Sequence, residues 1–155
     1  MTDNEIYLMI KKIFANAQRP EHFTNRYHCE ECQEHDELLR SRDVDTLSFA
    51  DIGNPGWSPV PFMTAEAIRY YFPALVRVAL DPNLKGSPDN YVSLLLSNLS
   101  PLKRFALFKT EERESVLALL NHLMGSLSAR YGFDVDESEE LDPLIKMWSA
   151  FSKEN

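Results

Sequence analysis

The fold class turns on one stretch, "MTAEAIRYYFPALVRVALDP", residues 63–82. Ile68, Tyr71, Phe72, Leu75 and Ala79 recur at helical spacing and draw one apolar stripe down a helix. Thr64 is a suitable N-cap, and Glu66 falls in the first turn, where the helix dipole favours an acid. Pro82 stops the run. Pro73 lies inside it and deletes one backbone hydrogen bond, so a kink near Arg69 is expected. Arg77 and Asp81, four residues apart, are expected to pair on the outer face.

Helical patterns continue on both sides. Towards the N-terminus, Ile6, Ile10, Ile13, Phe14 and Ala17 mark a helix from Asn4 to Ala17, with Pro20 restricting the chain beyond it. Towards the C-terminus, Ser87 caps and Pro88 and Asp89 open a helix that ends at Pro101. The longest helix begins at the cap Thr110 and buries Val116, Leu119, Leu120, Leu123 and Leu127, with Gly132 as its stop. Glu111, Glu112 and Glu114 read as charges of its first turn, Glu112 on the surface. A last helix, Glu139 to Phe151, offers Leu141, Leu144, Ile145 and Trp148. Between these, "GNPGWSPVPF" at 53–62 is too rich in Pro and Gly for regular structure, and Trp57 and Phe62 are expected to tether it to the core. "TLSF" at 46–49 is the one place for a short strand. The reading is a single all-α domain over 1–155, with about six helices packed irregularly because the loops at 18–27 and 53–63 are long.

Charge and composition narrow the function. Lys and Arg number 16 against 24 Asp and Glu, a net charge of -8 that repels phosphate and argues against general nucleic-acid binding. The densest cationic spot is "LKRF" at 102–105. No run approaches the roughly 20 apolar residues of a membrane span. "MTDNEIYLMIKKIF" lacks the basic start and apolar run of a signal peptide, so a cytosolic protein is expected.

Chemistry concentrates in "RYHCEECQEHDELL", residues 26–39, which holds both cysteines and two of the four histidines. Three readings compete. Thiolate and imidazole are zinc's preferred ligands, which makes His28, Cys29, Cys32 and His35 a candidate metal set. On a helix, however, His28 and His35 are about 10 Å apart along the axis and reach one ion only if the helix breaks. His22 or His122 completes a set only if the fold brings it there. A redox pair needs a reactive thiolate, and Glu30, Glu31, Glu34, Asp36 and Glu37 are expected to raise the thiol pKa instead. The third reading is two small apolar side chains packed under a solvated acidic face, on a helix from His28 to Ser41. It is the expectation taken forward, with zinc as the alternative. Elsewhere there is no glycine-rich phosphate loop, nucleophile elbow or H-E-x-x-H. His122 reads as a packed or surface histidine, and "RYYF" at 69–72 as core.

Together, "CEEC" at 29–32, "AIRYYFPALVRVAL" at 67–80 and "FALFKTEERESVLALLNHL" at 105–123 resemble a family of small, uncharacterised bacterial proteins. The resemblance spans about residues 5–125 and implies a single bacterial cytosolic domain. It carries no activity and no functional residue. The expectation is thus a non-enzymatic binding or interaction protein, suited by its charge to mask a basic protein partner. The alternative is a zinc-dependent regulator or enzyme built on His28, Cys29, Cys32 and His35.

Overall fold

The computed structural model describes residues 1–84, 91–131 and 136–154, the side chains of Tyr131 and Glu137 excepted. Among the described residues there are eight α-helices: α1 Asp3–Ile13, α2 Glu30–Arg40, α3 Phe49–Ile52, α4 Ala65–Ala79, α5 Val92–Ser97, α6 Thr110–Leu123, α7 Leu127–Tyr131 and α8 Glu137–Ser152. Short 3-10 turns cover Val60–Phe62, Pro82–Leu84 and Leu102–Phe105. The class is all-α: the described residues form no sheet, and strand-like pairing is confined to one bridge between Thr24 and Met63. "TLSF" is not a strand; Ser48 is the N-cap of α3.

Helix α4 carries its whole apolar stripe into the interior, with Ile68, Tyr71, Phe72, Leu75 and Ala79 buried and Thr64 Oγ1 accepting from the Ala67 N–H. Arg77 does not pair with Asp81. Its guanidinium donates instead to the carbonyls of Val44 and Leu47, at 3.1 and 2.6 Å, which fastens the loop before α3 onto α4. Carbonyls at the end of a turn lack partners of their own, so they outcompete a solvated carboxylate.

Several helix boundaries differ from the sequence pattern. Helix α1 opens with a capping box between Thr2 and Glu5, and stops at Ile13, well before Pro20. Phe14 is driven into the core between Phe72 and Phe108, with ring centroids at 5.1 and 5.0 Å, and the chain turns there. The long C-terminal helix is two helices. Gly125, at φ 80°, takes the left-handed conformation that ends α6, and α7 restarts at Leu127; Thr110 is the first helical residue and Lys109 the cap. Ser87, Pro88, Asp89 and Gly132 lie outside the described residues.

Helix α6 packs most extensively against α8 and next against α1, while α4 packs on α1, α5 and the Leu102–Phe105 turn. Helix α1 therefore lies between the stripes of α4 and α6. Trp148 of α8 is fully buried against Phe105, Phe108 and Phe151, and its indole N–H donates to the Leu99 carbonyl at 3.1 Å. Glu112 is not a surface acid. It is buried and takes a forked pair of hydrogen bonds from Arg69, both at 2.8 Å, across the α4–α6 seam. No helix among the described residues is long and apolar enough to cross a membrane.

Candidate dithiol site

Helix α2 starts two residues later than its pattern, at Glu30, and Cys29 is its N-cap. The extended backbone of Cys29 frees the segment before it, and a single buried acid anchors that segment. Asp36 is 2% exposed. It accepts from the Phe23 N–H at 2.6 Å and the Thr24 N–H at 3.4 Å, and meets His22 Nδ1 at 2.7 Å. Burial pulls the Asp36 carboxyl upward, but His22 and these N–H groups outweigh it and hold it below the usual carboxylate range. Thr24 Oγ1 in turn donates to the Cys32 carbonyl at 2.6 Å. The loop at 22–24 is thus tied to the α2 turn that bears the cysteines.

The two sulfurs lie 3.2 Å apart. Cys29 is exposed and Cys32 is buried, so the expectation of two packed cysteines holds for Cys32 alone. The Cys32 backbone N–H points at Cys29 Sγ, 3.4 Å away, as in any N-cap arrangement with a sulfur acceptor. That N–H, then the Cys32 thiol and His28, lower the Cys29 pKa to about 7. The Cys32 thiol is raised, but chiefly by its hydrogen bond with Cys29, by burial and by the charge of Cys29; of the surrounding acids Glu31 contributes, after these. The first cysteine has a backbone donor that the crowd of carboxylates does not override, because a hydrogen bond at contact distance acts more strongly than solvated charges. His28 Nδ1 is 3.6 Å from Cys32 Sγ.

Of the four candidate metal ligands, the fold brings three together. Donor atoms of His28, Cys29 and Cys32 lie within 4.8 Å of one another. The helix does break between His28 and His35, as the pattern required for a shared ion, yet His35 goes elsewhere. It is fully buried between Trp57 and Phe62, with ring centroids at 4.9 and 5.0 Å, and its Nε2 meets Glu31 Oε1 at 3.2 Å. Its Nδ1 has no hydrogen-bond partner among the described residues. Trp57 and Phe62 therefore tether their loop to α2 through His35 rather than to the core, and both stay partly exposed. His22 serves Asp36, and His122 pairs with Asp3 at 2.7 Å, so neither joins the cluster.

Sequence reasoning missed Asp36 as the anchor of the site, because among five neighbouring acids nothing in the pattern sets it apart. The only available signal was register: Asp36 is four residues after Cys32 and so lies on the same face. It also missed Tyr27, 82% exposed two residues before Cys29, with Arg26 lying over its ring. Comparisons with protein-family models, with curated proteins and with solved structures return no match.

Proposed function

We propose that this chain is a dithiol protein that carries out thiol–disulfide exchange through Cys29 and Cys32. The observation that carries this reading is the asymmetric pair: an exposed thiol at the N-cap of α2, with a buried thiol 3.2 Å behind it. The Cys29 thiolate attacks one sulfur of a substrate disulfide, forming a mixed disulfide and expelling the other sulfur as a thiolate, which takes a proton from water. Cys32 then gives its proton to His28 Nδ1 and attacks Cys29 Sγ. The Cys29–Cys32 bond forms and the second substrate thiolate leaves. The substrate disulfide is reduced by two electrons and the protein dithiol is oxidised by two; a more reducing dithiol closes the cycle. Closure needs the sulfurs to move from 3.2 Å to about 2.05 Å, a displacement within side-chain rotation.

A second reading rests on the same trio. Tetrahedral zinc with the usual bond lengths places sulfur–sulfur edges at about 3.8 Å and nitrogen–sulfur edges at about 3.5 Å. The His28–Cys32 separation of 3.6 Å suits this, and the sulfur pair is short for it. No fourth His, Cys, Asp or Glu joins the trio among the described residues, which favours exchange over a closed structural site. The masking of a basic partner, expected from charge, is a separate proposal that shares the acidic surface around α2.

The deciding experiment is equilibration in graded mixtures of reduced and oxidised dithiothreitol, followed by acid quench, alkylation and mass measurement. A two-electron transition to an intramolecular disulfide, absent in Cys29→Ser and Cys32→Ser, is expected. Thiols that remain fully alkylatable across the series, with about one equivalent of zinc in untagged protein, would instead establish the metal reading.

A further inference from the structure

We infer that the disulfides this site acts on belong to basic polypeptides; the inference rests on the dithiol reading above. Two independent features surround Cys29. The first is charge. Glu21, Glu30, Glu34 and Glu37 are exposed and Glu31 is half-buried, whereas Arg26 is the only Lys or Arg from residue 21 to 37. The Arg26 guanidinium is moreover folded over the Tyr27 ring, 4.5 Å from its centroid. A disulfide approaching Cys29 therefore meets a negative field that favours cationic and repels anionic partners.

The second feature is an aromatic rim. Tyr27 precedes Cys29 by two residues, and Trp57 and Phe62 lie nearly two turns along α2 from it, stacked on His35. They are 82%, 45% and 36% exposed. Large aromatic side chains exposed beside a reactive group suit a partner that covers area, which a small thiol does not. Beneath them the Nδ1 of His35, fully buried, lacks a hydrogen-bond partner among the described residues. Aromatic contact with acidic surroundings describes a Lys- or Arg-rich segment, through apolar stems and cation–π contact, better than a neutral one.

The test measures exchange rates of the reduced protein with cystamine, bis(2-hydroxyethyl) disulfide and dithiodiglycolate. Two disulfide-cyclised peptides follow, one with flanking Lys and Arg, one with flanking Glu. Each rate is divided by that of the same disulfide with dithiothreitol, which removes differences in leaving group. At low ionic strength the normalised rate for cystamine is expected to exceed that for dithiodiglycolate by more than about tenfold, and the preference should collapse in concentrated salt. Glu30→Gln with Glu34→Gln should shrink it. The basic peptide should exceed cystamine, and Trp57→Ala should shrink the ratio between the two rates. Equal normalised rates at low salt, or a preference for the anion, overturn the charge inference while the dithiol reading survives. A basic peptide no faster than cystamine overturns the polypeptide inference. Failure to exchange with any of the five disulfides defeats the dithiol reading itself.

Discussion

At Cys29 the chemistry depends on which neighbour dominates a single sulfur. The largest influence on its thiol is the Cys32 backbone N–H, with the Cys32 side chain second and His28 third. Alkylation of Cys29 by iodoacetamide should accelerate as pH rises through a midpoint near 7, because only the thiolate reacts. Cys32→Ser keeps the backbone donor and should retain most of that low midpoint. His28→Ala should raise the midpoint slightly. A Cys32→Ser protein titrating like an ordinary free thiol would show that the side chain, not the helix N-terminus, sets the reactivity. Mass-resolved alkylation rates across pH distinguish these outcomes.

Between elements, the tie that matters most is the one least evident from charge pattern. Glu112 of α6 is 2% exposed and forked to Arg69 of α4. Removing one partner of a buried ion pair strands the other, so Glu112→Ala should cost about 3 kcal/mol by denaturant unfolding. Glu111→Ala, one residue away and exposed, should fall within about 0.5 kcal/mol of the parent. Similar losses for both would mean that the pair is solvated. At the other end of α6, Gly125 holds φ 80° with open space where a side chain would begin. Gly125→Ala therefore meets backbone strain and no clash, and should lower stability by about 1–2 kcal/mol. A neutral or stabilising outcome in the same unfolding assay would show that α6 and α7 can merge.

Across the whole molecule, the N-terminal helix is tied to the C-terminal half by a three-way contact. Asp3 accepts two hydrogen bonds from Arg130, at 2.7 and 3.0 Å, and meets His122 at 2.7 Å. The Arg130 guanidinium first, and His122 after it, bring the Asp3 pKa from 3.8 to about 2 against the opposing effect of burial. A carboxyl depressed in the folded state contributes stability above its unfolded pKa and loses it as pH falls through the folded value. Here the loss runs from about pH 4 to about pH 2. The full linkage is about 2 kcal/mol, and solvent screening at a carboxyl one-third exposed reduces it to about 1. Melting temperature should fall more steeply over that window in the parent than in Asp3→Asn, which lacks the titrating group. Parallel curves would remove Asp3 from the account of acid sensitivity.

How far the residue order alone reached follows from the range of each force. Apolar periodicity is a local property, so the stripes of α4, α6 and α8 and the all-α class were legible, down to Tyr71, Phe72, Leu120 and Trp148. Caps such as Thr64 are local as well. Partners of charged groups are not local. Arg77 turned from Asp81 to the carbonyls of Val44 and Leu47, and Glu112 left the surface for Arg69. The candidate site divides in the same way. Its residue types were evident in "HCEEC", but the pattern placed both cysteines inside a helix, where they would be equivalent. Asp36 draws residues 22–24 onto α2, the helix starts at Glu30, and Cys29 becomes an exposed cap over a buried Cys32. That asymmetry arises from contacts between segments more than ten residues apart, and a periodicity of 3.6 carries no record of them.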